Sequence, residues 1–405
     1  IEDGPAEDQV KNGASLIINI NASPYDINKS ESRKEIVKNK ATKLKVPIIY
    51  LNMVGGQDEL VFDGGSFVVD ETGEIIYQAC QFDEEVFHLD LDLLIKRSSD
   101  KSNLELRTKS MELESRVSAP TLTENESIYS ALKLGLFDYV TKNNFKKVLI
   151  GISGGIDSAL TAAICADALG SENVTGVAMP SKYNSNESLD DAIELSKNLN
   201  MELKVIEIEP LVETFRNTLS SAVIDKLSQV TDENIQSRVR GNILMGLSNQ
   251  TGAMVVSTGN KSEMAVGYST LYGDLAGGYA LLKDLYKTKV YDLSNFRNTL
   301  SEVIPENIIL KEPSAELRPN QFDKDSLPDY EELDAILNLY IENDSSSESI
   351  IATGIEASLV YEVLEKVDRN EYKRKQVAPG VKLTEKAFGK DRRMPITNTY
   401  IRQRD

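Results

Sequence analysis

The sequence predicts an α/β protein built mainly on a doubly wound parallel sheet, with part of a second α/β layer in front of it. Three observations carry this. From residue 121 onward, short Val/Ile-rich runs alternate with helix-like segments, the pattern of repeated βα units. The first of these runs ends in a glycine-rich turn that opens a helix. Residues 1–95 show a different pattern of apolar runs, separated from the rest by a polar, Ser-rich stretch without periodicity at 96–120, which reads as a linker.

In chain order, residues 14–20 and 46–54 are apolar, Ile/Val-rich runs and read as buried strands. Between them, residues 30–43 are polar and helix-friendly. Runs at 65–71 and 74–79 flank the turn signal Glu71-Thr72-Gly73 and predict a hairpin. In the second part, strands are expected at 147–152, 174–179, 203–208 and 253–258, with helices over 158–169 (closed by Gly170), 189–199 and 234–249. Residues 344–349 read as a loop.

Bulk properties narrow the function. The chain carries a formal charge of −19, against the basic footprint that duplex nucleic acids require. No apolar run approaches the roughly 20 residues of a membrane helix. Cys80 and Cys165 stand far apart, which fits a reducing cytoplasm and neither a disulfide scaffold nor a metal cluster. The charge is locally reversed between Arg369 and Arg393, where nine basic residues face three acidic ones.

The sharpest feature is SGGIDS at 153–158. Its two glycines allow a tight turn and close backbone approach, its amides and the helix N-terminus favour a phosphate, Ser153 and Ser158 add hydroxyls, and Asp157 can hold Mg²⁺. No lysine follows the glycines, so this is not the P-loop of kinases and GTPases. The second feature is TGNKSEMAVGYSTLYGD at 258–274, after the fourth strand. Sites of doubly wound sheets gather at the C-terminal strand ends, and the segments 153–158, 179–183 and 258–263 all follow predicted strands.

The 153–158 loop resembles that of the N-type ATP pyrophosphatases, which have an adenine nucleotide alpha hydrolase-like sheet. The 258–274 segment resembles the signature of NAD synthetases, as do DENIQSRVRG at 232–241, MPSKY at 179–183, KDLYK at 283–287, PSAELRP at 313–319 and the basic stretch 368–395. The resemblance covers essentially all of 121–405 and implies ATP-dependent amidation of deamido-NAD to NAD through an adenylate. It implies that Gly151, Ile152, Ser153, Gly154, Gly155, Ile156, Asp157, Ser158, Ser181 and Thr258 bind ATP. Asn234, Glu263, Tyr268, Ser269, Thr270, Leu271, Lys283 and Lys373 are expected at deamido-NAD, with Asp284 beside Lys283. Asp157 and Glu263 are the expected catalytic, Mg²⁺-holding carboxylates. Arg238 and Arg240 lie two apart on one helix, so at most one points into the site. A homo-oligomer is implied by resemblance alone. The alternatives are another ATP pyrophosphatase, such as GMP synthetase, or a non-catalytic nucleotide-binding protein; a tRNA thiolase lacks support because its cysteine pair is missing.

In front, NASPY at 21–25 with Lys29 and Arg33, and LNMVGGQDELVFDG at 51–64, resemble the later half of a nitrilase-type glutaminase domain. That resemblance places Ser23 and Lys29 at glutamine. The family's Glu–Lys–Cys set would fall before residue 1, so this chain by itself is expected to use ammonia rather than hydrolyse glutamine, and to be a fragment of a longer protein. His88 and Cys165 are expected to be structural.

Overall fold

The computed structural model describes residues 4–89, 94, 119–223 and 226–397. The chain divides into two compact units, Ile1–Ala131 and Leu132–Asp405. The division falls inside a helix, Glu124–Lys142. The expected linker lies outside the described residues except for Ala119 and Pro120.

The first unit contains β1 (Ile17–Asn21), β2 (Ile48–Asn52), β3 (Val54–Gln57), β4 (Leu60–Asp63), β5 (Phe67–Val69) and β6 (Ile75–Gln78). Its main sheet has the order β1-β2-β5-β6, parallel between β1 and β2 and antiparallel beyond. Alternation along the strands sends Ile17, Ile48, Tyr50, Phe67 and Val69 to one face, where they pack on Val37 and Ala41 of the helix Lys29–Leu44. Ile49 and Val68 occupy the other face with Leu94. The β5–β6 hairpin forms where expected. Asp70 accepts from the amides of Thr72 and Glu74 at 2.9 and 3.0 Å, and Gly73 supplies a φ of +90°. The expected strand 46–54 is in fact two. The chain turns at Met53, and β3 leaves to form a separate antiparallel ribbon with β4.

The second unit contains β7 (Val148–Gly151), β8 (Val174–Ala178), β9 (Glu202–Val205), β10 (Met254–Ser257) and β11 (Tyr279–Ala280). All pair in parallel in the order β11-β10-β7-β8-β9. Leu149, Val177 and Val255 point to one face, against Val212 of helix Glu209–Ala222 and Ile235, Val239 and Leu244 of helix Gln229–Thr251. The alternate residues Val148, Ile150 and Val256 are equally buried, and helix Ile156–Leu169 packs on β7 and β8. The chain winds from β7 outward through β8 to β9, then returns to place β10 on the other side of β7. The strand order therefore reverses between β7 and β10, and a crevice opens above their C-terminal ends.

A helical layer completes this unit. Helices Tyr330–Leu337 and Ala357–Arg369 bury Leu333, Ile336, Leu337, Val360, Val363, Leu364 and Val367 against Ala265 and Val266. The loop expected at 344–349 instead leads into a short helix, Ser347–Ile351, whose N-cap Ser346 accepts from the amide of Ser349.

Candidate active site

A cavity of about 290 Å³ sits at the reversal point between β7 and β10. The eight residues Gly151 to Ser158 line it, as do Thr258 and Glu263.

The turn after β7 depends on Gly154. Its φ is +79°, and a Cβ there would stand 2.3 Å from the carbonyl oxygen of Ser188, so only glycine lets the turn lie against the neighbouring helix. Gly155 then serves as N-cap of helix Ile156–Leu169. The serines brace the turn from within. Ser158 Oγ donates to Gly155 O at 2.8 Å, lies 3.2 Å from Ser153 Oγ, and accepts from the Ser153 amide at 3.3 Å.

The segment after β10 is held by a reciprocal cap. Asn260 Oδ1 accepts from the Glu263 amide at 3.0 Å, and Glu263 Oε2 accepts from the Asn260 amide at 3.4 Å. Asn260 Nδ2 also donates to Asp157 Oδ1 at 2.8 Å and so couples the two loops. Lys287, first residue of helix Lys287–Leu300, completes the centre. Its ammonium hydrogen-bonds Asp157 Oδ2 and lies 3.5 Å from Glu263 Oε1. Asp323 is close by, accepting from Tyr330 Oη at 2.8 Å and Tyr268 Oη at 3.2 Å, and it lines the same cavity.

Burial, reinforced by the Asp157 charge and opposed by Lys287, pushes Glu263 up to about 8. Burial also raises Asp323. Burial works against the charge of Lys287, but Asp157 and Glu263 outweigh it, and its pKa is raised. Among the described residues, no three His, Cys, Asp or Glu side chains gather into a metal site of their own.

A second group of the expected residues gathers beside the cavity without lining it. Thr270 Oγ1 donates to Asn234 Oδ1 at 2.8 Å. Lys373 Nζ donates to the carbonyls of Gly267 and Ser269 at 2.6 and 2.9 Å, and so the basic stretch closes back on the 267–271 loop. The Thr270 amide donates to Asp274, whose carboxyl is pushed up to about 6 by burial. The Leu271 carbonyl accepts from exposed Arg238 at 3.2 Å, whereas Arg240 lines the cavity. Ser181 bonds to Asn184, which lines the cavity in its place.

Lys283 and Asp284 differ from expectation. Lys283 donates to Ala378 O at 3.2 Å and does not line the cavity. Asp284 is fully buried, paired with Lys261 at 2.7 Å, and accepts from the amides of Leu383 and Thr384. A buried carboxylate so fully satisfied anchors the C-terminal segment. Charged cavity residues that went unsingled in the sequence include Lys287, Lys311, Glu316 and Asp323. Lys287 and Glu316 lie inside recognised motifs, but spacing alone did not show which side chain turns inward.

In the first unit, Ser23 Oγ accepts from Arg33 Nε at 3.0 Å, and Arg33 pairs with buried Asp63 at 2.6 Å. Lys29 is half-buried and 3.8 Å from Asp26. Cys165 is fully buried, which pushes its thiol up, and His88 is exposed.

Comparison with known proteins adds the following. The NAD synthase family matches residues 128–377, and the carbon-nitrogen hydrolase family matches residues 8–95. A glutamine-dependent NAD(+) synthetase of Thermotoga maritima is 49% identical over 408 residues, covering 96% of this chain and 71% of the relative. One of Aquifex aeolicus is 46% identical, covering 99% and 73%. Among solved structures, the glutamine-dependent NAD+ synthetase of Acinetobacter baumannii in complex with adenosine diphosphate is 42% identical with a TM-score of 0.68, over 96% of this chain and 69% of that one. A synthetase from Cytophaga hutchinsonii shares the fold at 19% identity, with a TM-score of 0.78 over 96% and 70%. A carbon-nitrogen hydrolase portion followed by an NAD synthase portion, at this identity and over this length, means that the chain belongs to the glutamine-dependent NAD(+) synthetase family.

Proposed function

We propose that this chain carries out the ATP-dependent amidation of deamido-NAD to NAD with ammonia, releasing AMP and pyrophosphate. In the first step a carboxylate oxygen of the nicotinate bonds to the α-phosphorus, and the bond to the pyrophosphate oxygen breaks. In the second, the ammonia nitrogen bonds to the acyl carbon, AMP leaves with the C–O bond electrons, and the nitrogen sheds a proton. The observation that carries this reading is the meeting of the Gly154 turn with Asp157, Glu263 and Lys287 at the strand-order reversal.

The backbone amides of the 153–156 turn and the N-terminus of the helix behind it suit the phosphates. Thr258 and Arg240 flank them. Asp157 and Glu263 fit Mg²⁺. They are two oxygen donors facing one space, already bridged by an ammonium. Mg²⁺ held by Asp157 and Glu263 would offset charge developing on the phosphates. Lys287 adds a fixed cation at the same place, a preorganised charge that needs no rearrangement during reaction. The Asn234–Thr270 pair and the Lys373-clamped loop support deamido-NAD on the flank of the cavity. Ser23, held by Arg33, and Lys29 remain the candidate glutamine contacts in the first unit.

Supplying deamido-NAD, ATP, Mg²⁺ and ammonium should yield NAD, AMP and pyrophosphate in equal amounts, with no AMP when XMP replaces deamido-NAD. Asp157→Asn and Glu263→Gln should each lower kcat about 10²–10³-fold, the range for removing one preorganised charge-stabilising group. AMP formation that ignores the acceptor would refute the assignment.

A further inference from the structure

Glu316 stands out in the segment 311–322, which runs along the cavity rim. Its φ of +46° places a non-glycine residue in the left-handed region, where such residues persist only when their surroundings hold them. Four donors converge on its carboxylate. Asn184 Nδ2 reaches Oε2 at 2.7 Å, while Ser188 Oγ at 2.7 Å, Ser185 Oγ at 3.2 Å and Lys311 Nζ at 3.3 Å reach Oε1. Ser185 is the N-cap of helix Asn186–Asn198, and Ser188 is the residue whose amide it caps. Asn184 passes the connection on, since its Oδ1 accepts from Arg240 Nη2 at 3.1 Å.

The same Ser188 forms the wall behind the phosphate turn. A Cβ on Gly154 would lie 2.3 Å from Ser188 O and 2.8 Å from its Cα. A short path of contacts therefore runs from Glu316 through Ser188 to Gly154. Glu316, Ser188, Asn184, Lys311 and Arg240 all line the cavity. We infer that Glu316 is a positioning residue for the nucleoside triphosphate: it latches the 311–322 segment to the start of helix Asn186–Asn198 and so fixes the wall on which the Gly154 turn rests. It also restrains Lys311, which hydrogen-bonds Ser188 as well and stands ready beside the phosphates. The inference rests on the cavity being the ATP site.

Three variants test it: Glu316→Gly, Glu316→Gln and Ser188→Ala. Glycine accepts the left-handed backbone, so Glu316→Gly removes the latch without adding strain. It should raise KM for ATP about tenfold, the loss expected for one charge-assisted hydrogen bond, with KM for deamido-NAD changed less than about twofold. Glu316→Gln keeps an acceptor for Ser188 and should recover part of the loss. Combining Glu316→Gly with Ser188→Ala should be no worse for ATP than either alone, as for two members of one path. Equal rises in both KM values, or fully additive losses, would overturn the latch.

Calorimetric titration with α,β-methylene-ATP and Mg²⁺ separates the two assignments. If wild type binds the analogue and Glu316→Gly binds it about tenfold more weakly, the latch holds even should deamido-NAD give no product. If wild type turns over deamido-NAD and Glu316→Gly binds the analogue as tightly as wild type, the latch falls and the reaction assignment stands.

Discussion

Glu263 couples the chemistry of the site to the stability of its fold. Its folded pKa of about 8 lies above the roughly 4.3 of a free glutamate. Between those values the folded protein holds a proton that the unfolded chain releases, so stability falls as pH rises through this window and levels off above about 8. Glu263→Gln should abolish that slope in ligand-free protein. Thermal unfolding at pH 8 should show the variant melting at least about 2 °C above wild type, the shift that roughly 1 kcal/mol gives in a unit of this size. An unchanged pH profile would mean that the carboxylate is ionised throughout. Lys287→Met should act in the opposite direction. It leaves Asp157 and Glu263 facing each other without their cation, and should cost roughly 2–4 kcal/mol. That is somewhat below the penalty for a fully buried pair, because these carboxylates are 17% and 19% exposed. Chemical denaturation of the ligand-free variant measures it.

At the scale of the element, the glycine turn and the strands that carry it were legible in the sequence, since each is a local pattern: an apolar run, a turn residue, a helix start. Gly154→Ala should therefore fail locally. The added Cβ meets Ser188 backbone at 2.3 Å in a left-handed turn, so ATP affinity should drop by at least about tenfold while far-ultraviolet circular dichroism stays near wild type. Retained affinity would show that the turn relaxes. The elements that escaped prediction are those defined by partners. β11 has two residues and exists only because β10 offers its edge. β2 and β3 are separated by pairing, which an unbroken apolar run conceals. Lys283 and Asp284 illustrate the same limit in side chains. The resemblance put both at a ligand, but Asp284 spends its oxygens on Lys261, Leu383 and Thr384, partners about 20 and 100 residues away in the chain.

Across the whole molecule, the two units differ in what the sequence revealed. The βα rhythm made the second sheet readable, whereas the helical layer over residues 330–369 has no such rhythm, and only the loop at 344–349 was read within it. Yet that layer holds Ala265 and Val266 in place directly behind Glu263. Leu364 is completely buried within it. Leu364→Ala should destabilise the second unit by about 2–5 kcal/mol, visible as a lower melting temperature. KM for both substrates should change little at temperatures where the variant is folded. A selective rise in one KM would place Leu364 closer to the substrates than its burial implies.

The neighbouring positions of β7 and β10 have a kinetic consequence. Ile150 and Val256 sit side by side in the sheet although more than a hundred residues lie between them along the chain. Closing so large a loop is slow, and helices form long before it. During refolding, helical signal should therefore return well ahead of catalytic competence. The last event to restore turnover should be the insertion of one strand beside another, so that regained enzyme activity becomes a clock for the completion of the sheet.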